Sequence, residues 1–223
     1  MTLRAVLLDF DGLICDTEQA AFQSWAELYA SYGLRFTAPV WARMAGRRDG
    51  ERVALADLSE RLGAPVADAV RQGRLRRKHE LCQRQALRPG VARLLRDAAR
   101  HGLERAVVSS SSRSWVEPHL VRLGVRDLFG DLVVGDLVER HKPAPDLYHL
   151  ALRRLDVAGH EALAFEDSPT GVRAARAAGL RCVAVPNAVC DAADLGEADL
   201  VMDTLDHFHL ESELLGLEGT VRP

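Results

Sequence analysis

From about residue 90 onward, short apolar runs rich in Val and Leu alternate with longer segments of helical period. That alternation restricts the chain to an α/β fold, a parallel sheet covered by helices. Strands are expected at residues 103–108, 131–134, 162–165, 181–185 and 199–201. Between them, Val91, Leu94, Leu95 and Ala98 recur at helical spacing, and Gly102 follows where a left-handed cap is favoured. Leu147, Ala151 and Leu155 repeat the pattern one unit later. The segment after Phe165 carries start and stop signals together: Ser168 as N-cap, Pro169 at the first helical position and Gly179 just past the end.

One further strand, residues 3–8, stands apart from the others, separated by about seventy residues of helical pattern. Phe22, Trp25, Leu28 and Tyr29 form one apolar stripe in that stretch, Val53, Ala54, Leu58 and Leu62 a second, and residues 69–81 a third helix. The expected organisation is a core of residues 1–15 and 85–223 interrupted by a small helical domain at 16–84. A length of 223 residues accommodates one sizeable core with such an insertion and little more. The tail after about residue 211 is weakly patterned.

Charge and cysteine usage exclude several partners. A formal net charge of −3 gives no basic field for nucleic acid. The densest basic stretch, Arg74-Leu75-Arg76-Arg77-Lys78, reads as a solvated helix face. No apolar run approaches the ~20 residues of a membrane span. Cys15, Cys82, Cys182 and Cys190 lack metal or redox spacing. A soluble, cytoplasmic protein is expected, as monomer or weak dimer, binding neither nucleic acid nor membrane.

Four segments carry chemistry. Asp9-Phe10-Asp11-Gly12 follows the first apolar strand and puts two carboxylates at its C-terminal end, where open α/β sheets bind ligands. Residues two apart can share a side, so one carboxylate can attack while the other exchanges a proton, and Gly12 lets the backbone approach a ligand. Val107-Val108 runs into Ser109, Ser110, Ser111 and Ser112, whose hydroxyls and free amides suit phosphoryl oxygens. Lys142 lies in Lys-Pro-Ala-Pro-Asp, its backbone restricted by two prolines. Glu166-Asp167 ends another strand with paired acids suited to Mg²⁺, an ion that favours hard oxygen ligands. Singly, each segment also has a plain reading as a turn, a loop, a surface lysine or a helix cap. Jointly they supply a nucleophile, a proton shuttle, phosphate clamps and a metal site, the set that phosphoryl transfer requires.

With these four motifs in this order, the sequence resembles the haloacid-dehalogenase superfamily, and within it phosphatases and mutases similar to β-phosphoglucomutase. The resemblance covers nearly the whole chain and implies a Rossmann-like core with a helical cap that begins near Asp16-Thr17-Glu18. It implies that Asp9 is nucleophile and Mg²⁺ ligand, and that Asp11 is general acid/base and offers its backbone carbonyl to the metal. Ser109 and Lys142 would hold phosphate, with Gly12 and Ser110 beside the substrate, and Glu166 and Asp167 would complete the metal site. Gly46-Arg47-Arg48-Asp49 looks similar to a cap loop that reaches the site, so Arg47 and Arg48 become candidates to grip the leaving group.

The implied activity is a Mg²⁺-dependent phosphatase for a small phosphorylated metabolite. A phosphosugar mutase is the alternative, disfavoured because Ala21 stands where mutases carry a cap histidine and Asp49 where they carry an arginine. A hydrolytic dehalogenase fits less well because its pattern lacks the second aspartate, here Asp11. A non-catalytic binding module would have no use for the full set. The eight histidines show no metal spacing.

Overall fold

The computed structural model describes residues 3–44, 50–190 and 192–214. They form two compact units, one made of Met1–Cys15 with Ala86–Pro223 and the other of Asp16–Gln85.

The inserted unit is helical, with α1 at Thr17–Ser31, α2 at Ala38–Met44, α3 at Gly50–Leu62 and α4 at Asp68–Gln83. Asp16 caps α1 by accepting from the Gln19 amide at 3.1 Å. Helix α2 has too few residues to display a period, and it falls outside the three apolar stripes expected within this helical stretch. Its amphipathic turn is fixed instead by burial of Val40, Trp41 and Met44 and by bonds from the Val40 and Trp41 amides to the Thr37 carbonyl. The unit's centre is aromatic: the Phe36 ring lies 5.0 Å from Tyr29 and 6.2 Å from Trp25 between centroids.

One expectation for this unit is overturned. Arg74 is buried rather than solvated, its guanidinium 4.3 Å over the Trp25 ring and 3.0 Å from Glu51. A cation can be buried here because an aromatic face and a carboxylate replace its hydration. The neighbouring Arg77 does behave as surface, pairing with Glu27 at 2.7 Å.

The larger unit holds the sheet: β1 at Ala5–Leu8, β2 at Glu104–Ser109, β3 at Asp131–Val134, β4 at Ala162–Glu166, β5 at Arg181–Ala184 and β6 at Leu200–Val201. All pairings are parallel and the order is β3-β2-β1-β4-β5-β6. This is the Rossmann-like arrangement, with the chain reversing direction of travel across the sheet between β1 and β4. Both faces are covered, which is why the strands read as continuous apolar runs. Val6 and Leu8 face one core with α5 (Val91–Arg100) and α6 (Arg113–Arg122). Ala5 and Leu7 face the other with α7 (Asp146–Leu155) and α8 (Pro169–Ala177). A short α9, Leu210–Leu214, follows.

Register then gathers the motifs. Leu8 pairs with Val107 of β2 on one side and with Phe165 of β4 on the other. Asp9, Ser109 and Glu166 are consequently brought to one edge of the sheet.

Candidate active site

Asp9 leaves β1 with its amide still bonded to the Phe165 carbonyl at 3.0 Å, so its backbone is held by the neighbouring strand. The chain then turns sharply, with Gly12 at φ +82° and its amide donating to the Cys15 carbonyl at 2.8 Å. A Cβ at Gly12 would lie 1.7 Å from Asp167 Oδ2, so only glycine leaves room for that carboxylate. Arg88 clamps the same turn, donating to the Gly12 carbonyl and, at 2.9 Å, to the Pro186 carbonyl.

Lys142 is buried and spends all three ammonium protons within the site. It donates to Asp9 Oδ1 at 2.6 Å, to Glu166 Oε1 at 2.6 Å and to the Val108 carbonyl at 2.7 Å. Burial opposes its charge, but Asp9 and Glu166 outweigh burial and hold the ammonium above its usual range. Asp9 is pushed up to about 8, chiefly by burial and further by Glu166 and Asp11, against the pull of Lys142. With Glu166, Asp167 and Asp11 also close by, acidic groups outnumber Lys142 here.

Carboxylate oxygens of Asp9, Glu166 and Asp167 all lie within 4.8 Å of one another, and all three residues are buried. Glu166 Oε1 is occupied by Lys142 and by the Tyr148 phenol at 2.5 Å. Its Oε2 is buried with no hydrogen-bond partner among the described residues. A Cβ at Gly171 would lie 1.8 Å from that Oε2, which accounts for the glycine five residues after Glu166. Asp167 is oriented by Asn187, whose amide donates to Oδ2 at 2.6 Å. Three hard oxygen donors, an excess of negative charge and an unsatisfied carboxylate oxygen together suit a small divalent cation.

The hydroxyl loop closes another side. Ser109 ends β2, buried, and its Oγ accepts from the Ser111 amide at 3.1 Å. Ser110 Oγ is buried and has no partner among the described residues. Ser111 Oγ donates to Asp11 Oδ2 at 2.5 Å, and the Trp115 indole N–H donates to Asp11 Oδ1 at 2.8 Å.

Of the residues singled out in the sequence, Asp9, Gly12, Lys142, Glu166 and Asp167 touch or crowd one another directly. Ser109 and Ser110 end the adjacent strand, and Asp11 is held by Ser111 and Trp115. Arg47 and Arg48 lie outside the described residues. Four contributors were not anticipated: Arg88, Trp115, Tyr148 and Asn187. Only Asn187 left a usable signal, being a polar residue just beyond a strand on the ligand-binding edge.

The description haloacid dehalogenase-like hydrolase matches residues 3–179. The chain belongs to that family. YhcW of Bacillus subtilis is 38% identical over 188 residues, covering 84% of this chain and 85% of the relative. The phosphorylated carbohydrates phosphatase of Thermotoga maritima is 33% identical over 205 residues, 89% of this chain and 93% of the relative. Among solved structures, a CbbY mutant from Rhodobacter sphaeroides in complex with xylulose-(1,5)bisphosphate superposes with a TM-score of 0.69 at 29% identity, covering 92% of this chain and 96% of the other. On the family match and relatives named as phosphatases, the chain is a phosphoric monoester hydrolase.

Proposed function

We propose that this protein is a Mg²⁺-dependent phosphatase for a small phosphorylated sugar, working through a phosphoryl group carried on Asp9. The observation that supports this most directly is the position of Asp9. Its carboxylate stands at the tip of the central strand, bonded to Lys142 and grouped with Glu166 and Asp167. A lone surface aspartate needs no such surroundings, whereas a nucleophile that must meet an anionic phosphate does.

In this reading Asp9, Glu166 and Asp167 hold Mg²⁺, which would neutralise phosphoryl charge and lessen its repulsion from Asp9. An oxygen of Asp9 attacks phosphorus in line with the ester oxygen, forming the new O–P bond as the ester P–O bond breaks. The departing electron pair stays on the ester oxygen, which takes a proton from Asp11 and leaves as the sugar hydroxyl. Water then attacks phosphorus and gives its proton to Asp11, while the bond to Asp9 breaks and phosphate departs. Both aspartates are thereby returned to their starting states. Ser109 and Ser110 hold phosphoryl oxygens throughout, and Lys142 joins them by exchanging one of its three present contacts for a phosphoryl oxygen.

The inserted unit is assigned the role of specificity domain, with residues 16–84 choosing the leaving group and Arg47 and Arg48 contributing to that choice. A sugar-phosphate substrate draws support from the T. maritima relative, named for phosphorylated carbohydrates, and from the CbbY complex with a sugar bisphosphate. Hydrolysis rather than mutase transfer is supported by Ala21, a buried residue of α1 that cannot exchange a proton with a sugar hydroxyl.

The test is phosphate release from a panel of sugar phosphates, with and without Mg²⁺, by wild type and Asp9→Asn. Release that needs both Mg²⁺ and Asp9 is expected, and no release from any ester would refute the reading. Including β-glucose 1-phosphate with a trace of the 1,6-bisphosphate, and following glucose 6-phosphate, separates the branches. Isomerisation outrunning phosphate release would identify a mutase.

A further inference from the structure

The two oxygens of Asp11 are held by residues with unequal hydrogen-bonding abilities. Trp115 donates to Oδ1 through an indole N–H, which cannot accept, while Ser111 meets Oδ2 with a hydroxyl that can donate or accept. A protonated carboxyl must carry its hydrogen on one oxygen. Opposite Trp115 that hydrogen would face another hydrogen; opposite Ser111 it meets an oxygen. The contact with Trp115 therefore reserves Oδ1 as an acceptor and leaves the transferable proton to Oδ2, beside the hydroxyl loop.

Trp115 is itself firmly placed. It lies in the first turn of α6, whose leading amide, that of Arg113, donates to Asp136 at 2.6 Å. Its ring meets His119 edge-on with centroids 4.6 Å apart, and His119 in turn packs 5.9 Å from the Phe10 ring. The indole is thus braced against the same loop that carries Asp11, and its N–H has a fixed direction.

We propose that Trp115 is a positioning residue for the proton shuttle, fixing the carboxyl of Asp11 so that its transferable proton is carried on Oδ2, with Ser111 as the second support. The inference rests on the phosphatase reading above, in which Asp11 protonates the leaving oxygen. It predicts a dependence on the leaving group. An alkoxide needs that proton as it departs, whereas p-nitrophenolate is stable without it, so loss of the indole N–H falls selectively on alkyl esters.

The experiment compares kcat/KM, which reports steps up to leaving-group departure, for a sugar phosphate and for p-nitrophenyl phosphate. Wild type, Trp115→Phe, Ser111→Ala and Asp11→Asn are measured side by side. Trp115→Phe keeps an aromatic ring against His119 and removes only the donor. It is expected to lower the sugar-phosphate value about tenfold more than the p-nitrophenyl value, part of the roughly 10²–10⁴-fold that a proton shuttle contributes. Trp115→Gln, whose amide can still donate, is expected to recover part of that selective loss. Should the Phe variant fail to fold, Ser111→Ala carries the same expectation. Equal losses on both esters, or faster hydrolysis of the sugar phosphate by Trp115→Phe, overturn the proposal. If Asp11→Asn itself shows no leaving-group dependence, it is the underlying reading of Asp11 that has failed; if it does and Trp115→Phe does not, the proposal alone has failed.

Discussion

Gly12 and Asp167 compete for one position: the carboxylate oxygen of Asp167 lies 1.7 Å from where a Cβ on Gly12 would stand. The glycine in the first acidic motif is therefore tied to the second, more than 150 residues away in the chain. Gly12→Ala should fold, with roughly 1–2 kcal/mol of backbone strain at φ +82°, yet displace Asp167. Calorimetric titration with Mg²⁺ is expected to show affinity at least about tenfold weaker than wild type. A wild-type titration curve would show that Asp167 is not needed where the structure holds it.

Asp9→Asn should abolish turnover without unfolding the chain. The amide matches the carboxylate in shape and can still accept from Lys142, but it is a poor nucleophile. Phosphate release should fall below detection while the thermal transition remains cooperative. Residual activity near that of wild type would remove Asp9 from its assigned role.

Lys142→Met should destabilise the metal-free protein by about 3–5 kcal/mol, because it leaves the buried Asp9 and Glu166 carboxylates without their shared cation. Added Mg²⁺ should then stabilise the variant more than wild type, since an ion among the three acids takes over part of the missing charge. Urea titrations of both proteins with and without Mg²⁺ test this. A smaller metal-induced gain in the variant would contradict it.

Metal choice should be narrow. Mg²⁺ is expected to support turnover and Ca²⁺ to inhibit, because the larger ion takes six to eight ligands in a looser geometry and would misplace Asp9. Undiminished hydrolysis in excess chelator would exclude a metal role for the three buried acids.

Arg74→Met distinguishes a buried cation from a surface one. Loss of its contacts with Trp25 and Glu51 should cost about 1–3 kcal/mol, lessened because Arg71 still reaches Glu51 at 3.3 Å. A solvated arginine would change stability by less than about 0.5 kcal/mol. Chemical denaturation decides between them.

What could be read in advance follows from which forces act locally. The inner strands announce themselves because a doubly covered parallel sheet demands unbroken apolar runs, and Asp9, Ser109 and Glu166 announce themselves by standing at the ends of three of them. Helix α2 does not, because seven residues cannot display a period and its stability comes from rings contributed by α1 and the following loop. Arg74 misleads because four of five residues in its run carry positive charge, and only packing shows that its side of α4 meets Trp25. Tyr148 reads as one more apolar position of α7; its phenol matters only because Glu166 lies opposite at the end of β4. Trp115 and Arg88 likewise act through partners about 104 and 76 positions away, at Asp11 and Gly12, a distance over which sequence spacing carries no information.

Cys15 and Leu87 face each other across an antiparallel bridge, so the chain leaves the sheet unit and returns to it at neighbouring points. The whole helical insertion lies in the sequence between these two residues. Recombination could exchange that whole loop of helices for another without cutting a single strand of the sheet. Excising the insertion and joining Cys15 to Leu87 with a short turn should therefore leave a sheet unit that still folds, its thermal transition remaining cooperative.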